Sequence, residues 1–370
     1  MSKIIVRTAS PGIKDTQLFK DLVWKKIRVR KSLDEICHYV EVELPIEERE
    51  KIQLHNRLEV RYSSESIYDY DYKAAGWESL LTDYTRRVTT VVVDEINETV
   101  DAKQRFITVI GRSPARDIID SSWSGNYRDK TLLQLSAEIS KKFNIESFPI
   151  PRHLKTDPVE PFSWDCESPW AKLLNEAENQ GLFITSNESG DLYVLKLGED
   201  LQSIGFNIVE GINLKKVKII ERGTEQFWNY LVFGGGKDQL GKAVDDTFPR
   251  EYQCRIKSMK MTDPKISKTK LDARAQNEMI RRREKKIHAT VTGWGLTDEQ
   301  ILNIRNSWKL EGVNTTREKE LFWNPGYTVG VHIPSCGLKN TSFLITQVEY
   351  TADTSTFSCD ITMTKPEAYK

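Results

Sequence analysis

The side chains able to hold a metal, attack a carbonyl or carry a proton are few and scattered. The five histidines are His38, His55, His153, His288 and His332. None forms an HxH or HExxH pattern or a helical i,i+4 pair, the spacings that aim two imidazoles at one ion. His332 reads as a structural or surface histidine of a strand. The five cysteines (Cys37, Cys166, Cys254, Cys336, Cys359) are odd in number, far apart and without a CxxC pair. That argues against a zinc cluster or disulfide framework and for folding in a reducing compartment. GxSxG and QACxG are absent, and nothing next to Cys166 in Trp164-Asp165-Cys166-Glu167-Ser168 favours a thiolate. No catalytic residue, metal or cofactor is assigned.

Carboxylates adjoin at Glu47-Glu48 and Asp245-Asp246. A glycosidase needs two carboxyl groups roughly 5–10 Å apart across a sugar; adjacency in sequence does not supply that, and exposed loop charge is the simpler reading. Gly234-Gly235-Gly236-Lys237 lacks the GxxxxGK[ST] spacing of a phosphate loop, so it reads as a flexible strand end. The densest charge is Arg281-Arg282-Arg283-Glu284-Lys285-Lys286. Such cations suit the negative end of a helix dipole. Arg281, Arg282, Arg283, Lys285 and Lys286 are also the candidates for a charged subunit interface or for DNA phosphates. No zinc-finger spacing, RRM signature or basic zipper accompanies them.

These groups must be carried by a mainly β chain with α+β character. Val40, Val42 and Leu44 alternate with Glu41 and Glu43, the period-two mark of a strand with one wet face. Ile27 and Val29 alternate with Arg28 and Arg30, and Leu58, Val60 and Tyr62 with Glu59 and Arg61. Thr89–Val93 and Arg105–Ile110 are β-branched runs suited to strands buried on both faces, with a polar turn from Asn97 to Lys103. Strands so spaced predict an antiparallel barrel or sandwich.

In the middle third, helices are expected from Thr131, stopping near Asn144, and from Ser168 to Asn179. In the second, Ser168 is the cap, Pro169 opens the helix and Gly181 follows its end. A hairpin joins Leu182–Thr185 to Leu192–Leu195. Strands resume at Val217–Ile220 and Tyr230–Phe233. Residues 237–268 are polar and irregular. A long helix is expected from Lys270 to Lys286, capped by Thr269 with Asp272 and carrying Leu271, Ala275, Met279 and Ile280 as its apolar stripe. The tail returns to strands.

The 370 residues carry 54 Lys plus Arg against 54 Asp plus Glu, a net charge of zero. This excludes a globally basic nucleic-acid coat and an acidic disordered chain. Locally, residues 34–101 hold 17 acids against 7 bases, and residues 250–286 hold 13 bases against 5 acids. Opposed patches can join copies of one chain. The nine tryptophans suit core or interface anchors. MSKIIVRTAS has no apolar signal core, and no apolar run approaches the roughly 18 residues of a membrane span.

Several segments, in order, resemble the baseplate hub protein of Mu-like contractile-tailed phages, related to the late control D proteins. They are Trp24–Ser32 with Tyr39–Leu44, Ile110–Ser122, Thr131–Leu135 with Phe143–Ile145, Trp170–Leu174 through Gln180–Ile184, and Gly190–Leu192. Val291–Trp294, Leu321–Gly326, Phe343–Val348 and Ala352–Asp353 follow. Thr82-Asp83-Tyr84 departs from the family's turn, and residues 65–77 and 237–268 do not align.

The resemblance implies a non-enzymatic structural protein of the virion tail baseplate, assembled in the bacterial host cytoplasm. It implies a homotrimer in which each chain carries two tube-like antiparallel β-barrel domains plus a small α/β domain. The boundaries expected are 1–112 for the first barrel and 113–205 for the α/β domain. Residues 206–236 and 287–370 make the second barrel, with 237–286 as an insertion and long helix. The expected partners are other copies of the chain, a central spike protein, tail tube and baseplate wedge proteins, and DNA in transit through a central channel. Two rivals remain at this point: a phage-associated cell-wall hydrolase, and a DNA-binding module using residues 281–286.

Overall fold

The computed structural model describes residues 3–11, 18–63, 86–101, 105–159, 162–197, 203–236, 239–252, 254–261, 267–295 and 322–369. Thr82-Asp83-Tyr84, residues 65–77, Lys237 and Leu321 lie outside them.

The first third forms β1 (Lys3–Ala9), β2 (Lys20–Leu22), β3 (Lys26–Ser32), β4 (Tyr39–Pro45), β5 (Arg57–Ser63), β6 (Arg86–Val100) and β7 (Arg105–Arg112). The period-two pattern decides which face is dry. Ile27, Val29, Val40, Val42 and Leu44 are fully buried while the intervening arginines and glutamates reach solvent. In β7 Ile107, Val109 and Gly111, all on one side, are buried, so that strand has one dry face rather than the expected two. The stretch expected as a turn after Asn97 continues β6, pairing Asn97 with Thr108 and Val100 with Arg105. Polar side chains on an exposed hairpin arm do not prevent the backbone from completing its ladder.

The middle third comprises α1 (Arg116–Asp120), β8 (Trp123–Tyr127), α2 (Leu132–Lys141), β9 (Ser147–Ile150), β10 (Phe162–Glu167), α3 (Pro169–Asn179), β11 (Phe183–Ser186) and β12 (Leu192–Leu195). Thr131 and Gln134 cap α2 reciprocally. Ser168 caps α3 through Trp170 N, and Gly181, at φ +66°, carries the chain out of it. The sheet β11-β12-β9 and helices α2 and α3 enclose a separate core that includes Leu135, Ile139, Leu173, Ile184 and Val194.

The last third contains β13 (Ser203–Val209), β14 (Leu214–Ile220), β15 (Asn229–Phe233), β16 (Leu240–Val244), β17 (Ile256–Lys260), α4 (Lys268–Arg283), β18 (Lys286–Thr292), β19 (Thr328–Ile333), β20 (Leu338–Asp353) and β21 (Phe357–Thr364). The polar 237–268 stretch is therefore not irregular throughout. Its β16 and β17 flank β15 in a three-stranded sheet under α4, so Tyr230–Phe233 stands apart from the large sheet that β13 and β14 join. Ser267, not Thr269, caps α4, its Oγ accepting from Lys270 N at 3.3 Å. Asp272 instead accepts from Lys242 N at 2.9 Å and satisfies the edge of β16. The helix ends at Arg283, so Lys285 and Lys286 fall beyond it.

Thirteen strands form one sheet, ordered β14-β18-β21-β20-β3-β4-β7-β6-β5-β1-β2, with β19 also on β20 and β13 on β19. The 16-residue β20 is the join, because its Gln347–Asp353 half pairs antiparallel with Ser32–Lys26 of β3. One core spans both halves. Tyr62 of β5 stacks on Trp294 at 6.3 Å and meets Phe322 edge-on at 5.4 Å; Trp294 in turn lies 5.2 Å from Tyr350. Burying each such side chain contributes roughly 1.5–3 kcal/mol, and Trp294 Nε1 keeps a partner by donating to Thr351 O at 2.9 Å.

Candidate functional site

The basic cluster is not one surface. Arg281 donates from Nη2 to Asp34 Oδ1 at 3.0 Å, and its guanidinium lies 5.4 Å from the centre of the Tyr369 ring. Arg282 turns back along the helix to Glu278 and sits 5.7 Å from the Phe227 ring centre. Arg283 lies 3.9 Å from the buried carboxylate of Asp245. Lys285 pairs with Glu221 at 2.5 Å. Lys286 opens β18 and lines a depression of about 380 Å³ with Arg222, Arg281, His288, Glu349 and Asp360. At Arg281–Asp34 the basic and acidic stretches meet inside one chain.

The other sequence candidates are dispersed as well. Glu48 is buried and bound by Lys51 Nζ at 2.8 and 2.9 Å, whereas Glu47 is exposed. Asp245 accepts from Thr247 N and Oγ1 at 3.0 and 2.5 Å. Neither acidic pair is arranged to flank a sugar bond. The glycine triplet closes a turn through Gly234 N to Gln239 O at 2.8 Å. Among the described residues no group of three or more His, Cys, Asp or Glu side chains is placed to hold a metal ion. Burial pushes the Cys37 thiol up to about 11 and the Cys359 thiol higher than usual. Both are therefore poor nucleophiles.

The structure brings together a group at the junction of the sheet with the small α/β unit. Lys31, 2% exposed, donates from Nζ to Asn324 Oδ1 at 3.0 Å, lies 3.6 Å from Glu188 Oε1 and faces the Tyr350 ring at 5.8 Å. His38, also buried, meets Thr89 Oγ1 at 2.9 Å through Nδ1. Desolvation, with the Lys31 charge second, holds its imidazole well below the usual histidine range, so it is neutral. Both line a cleft of about 410 Å³ with Ser186, Tyr193, Ile150 and Pro325. Lys31 occupies the dry phase of β3 after Ile27 and Val29. That was the legible signal: a lysine at a core position demands an internal partner. Its partners Glu188 and Asn324 carried no such sign.

The wet face of the large sheet neutralises itself across strands. Arg28 of β3 grips Glu349 of β20 with two bonds of 2.7 and 2.9 Å. Arg30 faces the Tyr39 ring at 5.6 Å and Glu35 at 3.2 Å. His288 meets Thr362 at 3.0 Å, and Thr290 donates to Asp360. At its margins, β14 forms one end of the sheet and carries exposed Lys215 and Lys216, a feature of managed sheet edges.

This arrangement is a β-rich fold, with charge spent on internal joints. It is the fold of prophage tail proteins. No protein-family profile matches the chain, and no curated protein matches its sequence. Among solved structures, the prophage MuSo2 43 kDa tail protein from Shewanella oneidensis superposes with a TM-score of 0.72 at 18% identity, over 99% of each chain. A tail protein from Neisseria meningitidis gives 0.73 at 13%, again over 99% of each. An Escherichia coli component of the type VI secretion system gives 0.53 at 8%, over 96% of this chain and 76% of that one. At these identities the likeness is one of fold.

Proposed function

We propose that the chain is a structural, non-enzymatic tail component, the baseplate hub joining a sixfold tail tube to a threefold central spike. The observation that carries this reading is the end-to-end likeness of fold to two prophage tail proteins, over 99% of each chain. Three copies close into a ring, and each contributes two tube-like β-barrel domains. Residues 1–112 form the first. Residues 206–236 and 287–370 supply the second, except that β15 belongs with the 237–286 insertion. Residues 113–205 make the α/β domain. Two similar units in each of three copies yield six sites facing the tube and three facing the spike. The β3–β20 pairing supports this by setting the two halves side by side.

The ring's channel passes DNA, and its wall must not grip phosphates. The self-neutralised wet face, with Arg28 committed to Glu349, suits such a wall. Of the basic cluster, Lys285 and Lys286 at the start of β18 are the proposed interface or channel charges; the three arginines act as internal fasteners. The partners are the spike, tail tube and wedge proteins, and the location is the virion baseplate after assembly in the host cytoplasm.

Light scattering tests the ring. A mass of three 42.7 kDa chains, with a central hole by electron microscopy, is expected. A monomer at every concentration would overturn it. Incubation with peptidoglycan should release no soluble fragments.

A further inference from the structure

The chain leaves the large sheet for the small one and returns to it at a single point. Strand β14 ends at Ile220, directly opposite Lys286, where β18 begins. Residues 221–285 hang from that two-strand neck. Just beyond it Lys285 pairs with Glu221 at 2.5 Å, and Glu284 caps α4 in an extended conformation two residues before β18. The suspended unit is closed on itself. Tyr230, Val232, Ala243, Leu271, Ala275 and Met279 form a core of its own. The Phe227 ring takes the guanidiniums of Arg255 and Arg282 at 4.9 and 5.7 Å from its centre. Arg255 also holds the Gly223–Glu225 turn, donating to Gly223 O at 3.0 Å and to Thr224 O at 2.7 Å. A unit with its own core and one point of attachment is built to move as one piece.

Its docking against the rest of the chain is of a different kind. From the neck outward, α4 offers Arg281 to Asp34 at 3.0 Å, Arg274 to Glu178 at 3.1 Å and Lys270 to Asp157. In the outermost pair both side chains are more than half exposed, 54% and 60%. A cleft of about 210 Å³ lies between the Arg274–Arg281 side of α4 and Leu174, Leu182 and Phe183 of the α/β unit. Among the described residues Ile280 is the one side chain of α4 that packs on both its own core and the core around Leu33 and Tyr369. Exposed ion pairs hold weakly, and an interface with so little apolar area leaves its two bodies free to shift.

We propose that residues 221–285 are a hinged arm, pivoting at the Glu221–Lys285 neck and latched to the α/β unit by the Arg274–Glu178 and Lys270–Asp157 pairs. The inference goes beyond the hub reading and holds whatever the oligomeric state. The hinge positions are the element ends at Arg222 and Glu284, where a change in two backbone segments turns the whole arm. A helix rises about 1.5 Å per residue, so Lys270 lies roughly 16 Å farther along α4 than Arg281. The outer pairs therefore release first, while Arg281, against Asp34 and the Tyr369 ring, stays near the pivot. In dilute salt the latch is closed. At about 1 M salt the screening length falls to about 3 Å, the pairs lose their attraction and the arm swings out.

Two native thiols report the motion, since Cys254 is exposed on the arm and Cys166 on the α/β unit. Cys336→Ser removes the third exposed thiol. Full-length protein, spin-labelled and diluted with unlabelled chains, gives the Cys254–Cys166 distance within one chain by pulsed electron resonance. At about 50 mM salt one narrow distance is expected. At about 1 M salt a second should appear, its population raised roughly tenfold or more. Asp157→Lys/Glu178→Lys should show the second distance already at low salt, and adding Lys270→Glu/Arg274→Glu should restore the first. A single distance, unmoved by salt and by the reversal, would overturn the arm. A salt response that the reversal does not reproduce would overturn the latch. The salt series needs no charge substitution, so it decides the matter even where a reversal fails to fold.

Discussion

Arg281 and Asp34, 247 positions apart, meet at 3.0 Å beside the Tyr369 ring. The contact ties α4, the loop after β3 and the C-terminal turn into one joint, and Phe183 of the α/β unit adds a ring 5.3 Å from Tyr369. Burial and the Asp34 charge push the Tyr369 phenol up to about 12, so it stays neutral and does not compete for the guanidinium.

Arg281→Ala should therefore lower stability by about 1 kcal/mol, the combined size of a half-exposed ion pair and a cation–π contact. Denaturant unfolding of Arg281→Ala, Asp34→Ala and the double variant should give a non-zero coupling energy. Strict additivity would show that the two groups do not cooperate.

Lys31→Met keeps the aliphatic stem and removes the ammonium, leaving Asn324 Oδ1 without this donor. Glu188 is 39% exposed and can rehydrate, so the loss should be about 1–3 kcal/mol rather than the larger cost of a stranded buried charge. Equal or greater stability would mean that the apolar replacement outweighs the polar joint.

Gly241 sits where a Cβ would lie 2.3 Å from the Leu271 backbone. Gly241→Ala should lift α4 from its sheet, costing roughly 1–3 kcal/mol as overpacking does. Faster proteolysis within α4 would report it. An unaltered cleavage pattern would contradict so tight an approach.

His38 gives a pH dependence of known sign. Its folded-state value lies below the unfolded 6.5, so the unfolded chain binds the extra proton. Stability is then full above pH 6.5 and falls as pH drops through it, by at most about 1.4 kcal/mol per unit. Between pH 6.5 and 5.5, above the carboxylate range, His38→Gln should reduce the slope, and His288, lowered by burial and by Lys218 and Lys286, supplies a remainder of the same sign. A slope undiminished by the substitution would place its origin elsewhere.

Cys166, Cys254 and Cys336 are exposed, and Cys37 and Cys359 are buried. A thiol reagent should label three sites in the native protein and five after denaturation. Rapid native labelling of Cys37 would contradict its enclosure.

The strands were legible wherever one face was wet, because Val40-Glu41-Val42-Glu43-Leu44 states its orientation residue by residue. The cap at Ser168 was legible for the same local reason, whereas the start at Thr131 was placed without its reciprocal cap to Gln134. What failed was non-local. The stretch 237–268 looked shapeless because β16 and β17 are only five residues long each and gain their order from β15 and α4. Asp272 was read as a helix cap, but its partner is Lys242, 30 positions earlier. The basic cluster looked like one surface since adjacency in sequence hides direction. Only folding sends Arg281, Arg282 and Arg283 to three different carboxylates.

The seam between β3 and β20 has a mechanical meaning. Seven consecutive residue pairs, from Gln347–Ser32 to Asp353–Lys26, run antiparallel across it. A pull along those strands loads the whole row of backbone bonds at once, whereas a pull across them opens the row one bond after another. A device that must survive a sudden axial stroke is best built with that seam lying along the thrust.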